Sequence, residues 1–384
     1  MKHKTTSFLL ASILSFRMLG LFMILPVFSV AAKNYVGATP MLIGLALGIY
    51  GLTQALLQIP FGMLSDHLGR KPVIFIGLVL FFVGSVICAL SPSLTFLIIG
   101  RALQGAGAIG STVLAFIADI TPEDKRAKSM AFVGLFIGAS FVVAMILGPF
   151  VNHYFKLSGI FWLTALLALI GLFFAVITPS HTITTAIDTK QLAFKKLFPF
   201  NFGIFSLHTI LTALFIVIPI ILTRQLMMSG ESQIIFYCLI LFLSFVLALP
   251  LIILAEAKKK MSLIFPACIG LIFLSMEISI CVEFSSISKL FLFLLLFFTA
   301  FTVLEALLPS LVSKNTSPKK RGAAMGIYST SQFLGIFAGG ALGGVVYAHF
   351  QALGIFAFCA LFAACWLILI LCNKHGIARH QKTT

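Results

Sequence analysis

Four ionisable side chains, Arg17, Arg101, His208 and Glu305, stand inside long apolar runs of the sequence. Holding such a group in hydrocarbon costs at least ~2.5 kcal/mol, so each needs a chemical reason to be there. Glu305 and His208 are the candidates for binding and releasing a proton, the histidine because it titrates near neutrality. Arg17 and Arg101 do not deprotonate. They can hold an anionic group, pair with a carboxylate, or bond backbone carbonyls. Gln104, one turn beyond Arg101, and Gln54 and Gln58, spaced to share one helix face, can add neutral polar contacts. Glu277 is a further acid, ranked below Glu305 because its segment is expected at the periphery. The structural alternative for each is a satisfied pair or a side chain snorkelling to the membrane surface.

Other chemistry is missing from the pattern. No clustered catalytic residues appear, neither paired aspartates nor a His/Glu metal motif on one helix, so neither catalytic residues nor metal ligands are expected. The seven cysteines are scattered without a CxxC pair and read as small buried hydrophobes. The chain is not expected to be an enzyme.

The elements that must position these groups follow from composition. Of 384 residues, 60% are hydrophobic and 9% charged, whereas a soluble domain carries about a quarter charged residues. Most of the surface must therefore face lipid. A span needs about 20 apolar residues. Candidate spans lie near 8–32, 41–65, 72–91, 94–119, 129–153, 158–178, 203–223, 232–255, 261–283, 288–312, 322–349 and 351–373. The runs are continuously apolar, not alternating, which excludes a β-barrel. The start, MKHKTTSFLLASILSF, imitates a signal peptide but lacks a small-residue cleavage site, and is expected to be the uncleaved first span.

Basic residues outnumber acidic ones by 26 to 10, yet they fall in clusters between apolar runs, which argues topology and not nucleic acid. With both termini cytoplasmic, 20 Lys and Arg fall on the cytoplasmic side; only Lys33, Lys156, Arg224 and Lys289 fall opposite. This split predicts an even number of spans in a bacterial inner membrane.

The sequence also repeats. TPEDKRAKSM from Thr121 resembles TSPKKRGAAM from Thr316, an offset of 195, and LSDHLGRK from Leu64 has an echo in LAEAKKK from Leu254. The expected fold is all-α, with twelve transmembrane helices in two pseudo-symmetric six-helix bundles, residues 1–178 and 203–384, joined by a cytoplasmic linker at 179–202. Arg17, Arg101, His208 and Glu305 then open the four three-helix units, which suggests one shared aqueous cavity.

GMLSDHLGRKP, Gly62 to Pro72, is similar to the signature loop of the major facilitator superfamily, with Gly62, Asp66, Gly69, Arg70 and Lys71 matching and His67 replacing the first arginine. RALQGAGA, from Arg101, is similar to a second family motif. A helix-five antiporter motif is partial: Gly134, Gly138, Gly148 and Pro149 are present, but the glycine pair beyond Pro149 is missing. SFRMLGLFMILP, GIYGLTQALLQIPFG, EALLPSLVSK and MGIYSTSQFLG resemble the YajR-type branch, regarded as proton-driven efflux transporters. That branch carries a soluble C-terminal domain, which this chain, ending soon after the twelfth span, is expected to lack. The resemblance implies that Asp66 faces the start of the eleventh helix near Gly322 and that Arg70 pairs with Asp119, locking the cytoplasmic side. Gly134 and Gly138, like Gly335, Gly339 and Gly343, have the spacing that lets helix backbones approach and slide.

The expected activity is secondary active transport by alternating access, as a proton-coupled efflux antiporter. A proton-coupled importer of the same fold stays open because the helix-five motif is incomplete. The expected partners are an unidentified small-molecule substrate, protons and the lipid bilayer, with no nucleic acid and a monomeric chain. No cofactor is expected; the proton gradient supplies the energy.

Overall fold

A computed structural model describes residues 2–122, 126–179, 194–281, 286–316 and 320–372. Among them the helices are α1 (Lys2–Phe22), α2 (Phe28–Ala31), α3 (Pro40–Leu68), α4 (Arg70–Ala89), α5 (Leu94–Ala106) and α6 (Gly110–Ile120). They continue with α7 (Arg126–Ile177), α8 (Phe194–Ile220), α9 (Gly230–Glu256), α10 (Met261–Cys281), α11 (Ile287–Lys314) and α12 (Arg321–Cys372). The chain divides into two compact units, Met1–Ile187 and Asp188–Thr384. Most of the segment expected as a linker lies outside the described residues.

Ten helical stretches among the described residues are long and apolar enough to cross a membrane. Two of them are double. The apolar part of α7 is 46 residues and α12 is 52; at 1.5 Å per residue each would run to about twice the ~30 Å hydrocarbon core. Each is broken once, at Lys156 (φ 58°, ψ −172°) and at Gln351 (φ 54°, ψ −148°). The breaks turn ten stretches into the twelve expected crossings. Neither residue is glycine, so each carries the steric cost of a positive φ, about 1–2 kcal/mol. They stand 195 positions apart, the offset already visible in the sequence repeat.

The fourth crossing differs from the single helix expected at 94–119. It stops at Ala106, passes through Gly107–Ile109 and resumes at Gly110. The reason is close backbone approach. A Cβ on Gly105 would lie 2.2 Å from the Tyr50 carbonyl oxygen, and one on Gly107 would lie 2.2 Å from that of Gly77. Gly84 and Gly100 form a similar contact further along, with Gly84 O 2.9 Å from a Cβ at Gly100. Glycines on both sides thus draw α5 against α3 and α4, carrying Arg101 inward.

The second unit is built round α8. An 18-residue apolar window within Lys196–Gln225 is 94% buried, whereas the corresponding window of α9 is 28% buried and leaves most of its face to lipid. Gly335, Gly339 and Gly343 of α12 lie on α8: a Cβ there would meet Phe205 O at 2.3 Å, Thr209 O at 2.3 Å and Ala213 Cβ at 3.3 Å. The register advances four residues per turn on both helices, as small-residue packing requires.

In the first unit that contact takes other residues. Gly148 does press on Met23, whose carbonyl oxygen would lie 2.2 Å from a Cβ. Pro149 follows it inside α7. Gly134 and Gly138, expected to pack a neighbouring helix, have nothing among the described residues within 4 Å of a Cβ position. Their spacing suits close packing, but their face points away from it. Ser140, Ala144 and Gly148 of α7 are buried, and they precede Gly335, Gly339 and Gly343 by the repeat offset of 195. The Ser140 and Ser15 hydroxyls are 2.5 Å apart, joining α7 to α1.

Candidate functional site

The expected residues fall into three groups. The first is a polar core in the first unit. Arg17, on α1, is fully buried and Arg101, on α5, is 1% exposed. Arg17 Nη2 donates to the Tyr50 hydroxyl at 3.0 Å and to Gln54 Oε1 at 2.8 Å, and Gln54 Nε2 donates to Gln58 Oε1 at 3.0 Å. Arg101 Nε donates to Ala46 O at 3.3 Å and its Nη1 to Gln104 Oε1 at 2.8 Å; Gln104 Nε2 donates to Ser85 Oγ at 2.8 Å. The guanidinium faces rest on rings, Arg17 over Phe81 at 5.1 Å and Arg101 over Tyr50 at 4.9 Å. Cation–π contact of this kind gives about 0.5–2 kcal/mol.

Tyr50 therefore joins the two arginines, one through its hydroxyl and one through its ring. It is absent from the residues expected at the site, although Tyr50, Gln54 and Gln58 recur at four-residue spacing on one face of α3, a legible signal. Ser85 and Phe81, also absent from that set, share the same relation on α4. They lie in an apolar helix where a lone serine or phenylalanine gives no such warning.

The second group lies in the second unit. His208 on α8 and Glu305 on α11 do not touch directly; Gln332 of α12 stands between them. Gln332 Nε2 lies 2.8 Å from His208 Nε2 and donates to Glu305 Oε1 at 3.4 Å. An amide nitrogen is donor only, so His208 Nε2 accepts. Its other ring nitrogen, 3.3 Å from Ile204 O, then carries the proton, and the imidazole is in its neutral tautomer. Among the described residues, Glu305 Oε2, the Tyr328 hydroxyl and Thr330 Oγ1 are enclosed without a hydrogen-bond partner. Glu277, the lesser candidate, is only half-buried on α10.

The third group is the loop between α3 and α4. Gly69 has φ 93°, ψ 154°, a region essentially confined to glycine. It ends α3 and lets α4 begin at the next residue. Arg70, 3% exposed, bonds Asp66 Oδ1 at 2.5 Å, Asp119 Oδ2 at 3.0 Å and Ser65 Oγ at 2.6 Å. Asp66 near a helix C-terminus and Arg70 at a helix N-terminus each oppose the local dipole; pairing offsets both. Ser65 in turn donates to the Gly62 carbonyl at 2.7 Å. Lys71 donates to Val176 O at 2.7 Å and Thr178 O at 2.8 Å, capping the C-terminal end of α7.

The weak echo at Leu254 has a counterpart in geometry. Glu256, at the end of α9, accepts from Ser310 Oγ at 2.6 Å and pairs with Lys314 of α11. An acid again ties two helix ends together, with lysine on the far helix where the first unit has Asp119.

No group of three or more His, Cys, Asp or Glu that could hold a metal occurs among the described residues. Comparison with known proteins agrees with a transport fold. The chain is 43% identical over 368 residues to the inner membrane transport protein YajR of Escherichia coli, covering 93% of this chain and 81% of the relative. It is 29% identical over 197 residues to the quinolone resistance protein NorA of Staphylococcus aureus, half of each chain. Among solved structures, a bacterial homologue of the human lysosomal transporter Spinster covers 98% of both chains with a TM-score of 0.75 at 14% identity, a likeness of fold alone. The family model described as Major Facilitator Superfamily matches residues 10–280 and 200–382. With twelve crossings, a repeated architecture and these matches, the chain is a multi-pass membrane transporter, not an enzyme, and belongs to the Major Facilitator Superfamily.

Proposed function

We propose that this transporter is a proton-coupled exporter of small molecules, working by alternating access in a bacterial inner membrane with both termini cytoplasmic. The observation that carries the reading is the chain His208–Gln332–Glu305. An acid and an imidazole on different helices are joined through one amide on a third. If Glu305 gains or loses a proton, Gln332 must redistribute its two hydrogens, and α8, α11 and α12 all feel the change. That is a local electrostatic event coupled to helix position, which is what a proton-driven cycle needs. A proton crossing 100 mV supplies about 2.3 kcal/mol. Export is supported by the likeness to a quinolone resistance protein. In this reading the Arg70 cluster is the cytoplasmic lock, and the Arg17–Arg101 core lines the substrate path.

The test uses purified protein in liposomes with an imposed pH gradient and a fluorescent reporter of proton flux. Candidate compounds come from a growth-inhibition screen with and without overexpression. Substrate-dependent proton flux is expected in the wild type, lost in Glu305→Gln and altered in its pH profile in Gln332→Leu. A full response in Glu305→Gln would overturn the assignment. The incomplete helix-five motif also favours a second reading, an importer that moves substrate and proton together. Flux direction in inverted vesicles separates the two.

A further inference from the structure

Arg17 and Arg101 of the first unit have no anionic partner among the described residues. Arg17 Nε and Nη1 and Arg101 Nη2 are enclosed there and meet no acceptor. Every partner the pair does have is neutral: a phenol, two amide oxygens, one backbone carbonyl and two rings. Neither forms a salt bridge among the described residues. The first 187 residues contain only four carboxylates, Asp66, Asp119, Glu123 and Asp124. The first two are engaged by Arg70 at the ends of α3 and α6. The other two come after α6 has ended. The two acids that lie within the unit's spans are thus both taken up by Arg70 at the helix ends, and neither pairs with Arg17 or Arg101.

Two guanidinium groups that stay charged in a low-dielectric interior are costly unless an opposite charge joins them. Neutral oxygens and ring faces recover part of that cost. They also hold the side chains still, since Arg17 is fixed through Tyr50 and Gln54 and Arg101 through Ala46 and Gln104. The unsatisfied nitrogens are thus pre-positioned donors of positive charge, and charge-assisted bonds from arginine to a carboxylate, phosphate or sulfonate are among the strongest available.

We infer that the Arg17–Arg101 pair receives the anionic group of the transported compound, so that the substrates are small organic anions. The inference rests on the transport reading but is tested by binding without a gradient, so either can fail alone. The probes are benzenesulfonate and benzoate, with the neutral benzenesulfonamide and benzamide and the cationic benzylamine as controls. Thermal unfolding of detergent-purified protein is followed against probe concentration. The two anions are expected to raise the unfolding temperature in a saturable way while the neutral and cationic analogues do not. Apparent affinity for the anions is expected to fall about tenfold or more in Arg17→Gln and in Arg101→Gln, the loss expected for one charged hydrogen bond. A second measurement needs no variant. Equilibrium dialysis of radiolabelled benzenesulfonate against the wild-type protein is expected to show saturable binding that benzoate displaces and benzenesulfonamide does not. Stabilisation by the neutral analogues equal to that by the anions would overturn the inference. So would unchanged affinity in both variants, or displacement of benzenesulfonate by benzenesulfonamide as readily as by benzoate.

Discussion

Arg70 offers the sharpest quantitative test of how the loop between α3 and α4 holds the first unit together. Replacing it with alanine removes a nearly buried cation, 3% exposed, from between Asp66 and Asp119, which are 31% and 17% exposed. Breaking a buried pair by removing one partner costs about 3–5 kcal/mol. The more exposed Asp66 contact adds at most about 1 kcal/mol. A loss near 4 kcal/mol follows for Arg70→Ala, because both carboxylates are left facing the vacated space. Asp119→Asn leaves Arg70 bonded to Asp66 and Ser65, and about 1.5–3 kcal/mol is expected, as for one charged hydrogen bond. Asp66→Asn removes the most exposed partner and should cost about 0.5–1 kcal/mol. Thermal unfolding of the purified proteins in one detergent gives the ranking; at about 2–4 °C per kcal/mol, Arg70→Ala should fall by about 8–16 °C. A double-mutant cycle on Arg70 and Asp119 should return a coupling energy of about 2 kcal/mol. Additive effects, or a larger loss for Asp66→Asn than for Asp119→Asn, would refute the argument.

Three further outcomes use the same assay. Gly339→Leu places a side chain where the Thr209 carbonyl oxygen is 2.3 Å from the Cβ, and should cost at least about 1–3 kcal/mol by overpacking. Gly134→Leu, with nothing among the described residues within 4 Å, should leave the unfolding temperature nearly unchanged. Lys71→Met removes the donor to Val176 O and Thr178 O and should cost about 1 kcal/mol, the usual net worth of a hydrogen bond, seen as a drop of a few degrees.

What can be read from the sequence is whatever hydrophobicity and charge encode directly. The twelve crossings follow from run length, and the four costly ionisable groups stand out because apolar neighbours make them anomalous. Their partners are harder to see. Tyr50 is within reach through its spacing from Gln54 and Gln58, but Gln332 joins His208 to Glu305 only because α12 lies beside α8, a tertiary fact. The positive φ at Lys156 and Gln351 has no residue-type signature, since neither is glycine, asparagine or aspartate. The break at Gly107 depends on which backbones crowd α5. The glycines of α7 show the same limit from the other side. A four-residue spacing identifies a stripe of small residues but not the neighbour it faces, so it points to Gly134 and Gly138 although Ser140 and Ala144 are the buried pair. Comparing the halves at an offset of 195 selects the right stripe from Gly335 and Gly339.

The seam between α8 and α12 leaves no room for a third component. With the Phe205 and Thr209 carbonyls against the bare backbone of Gly335 and Gly339, neither an acyl chain nor a water molecule can enter there. α9, whose apolar window is 28% buried, the lowest share among the described spans, has no such protection and presents a broad apolar face. Thickening or thinning the bilayer therefore presses first on α9, while the polar side chains of α8 stay behind a joint that lipid does not reach.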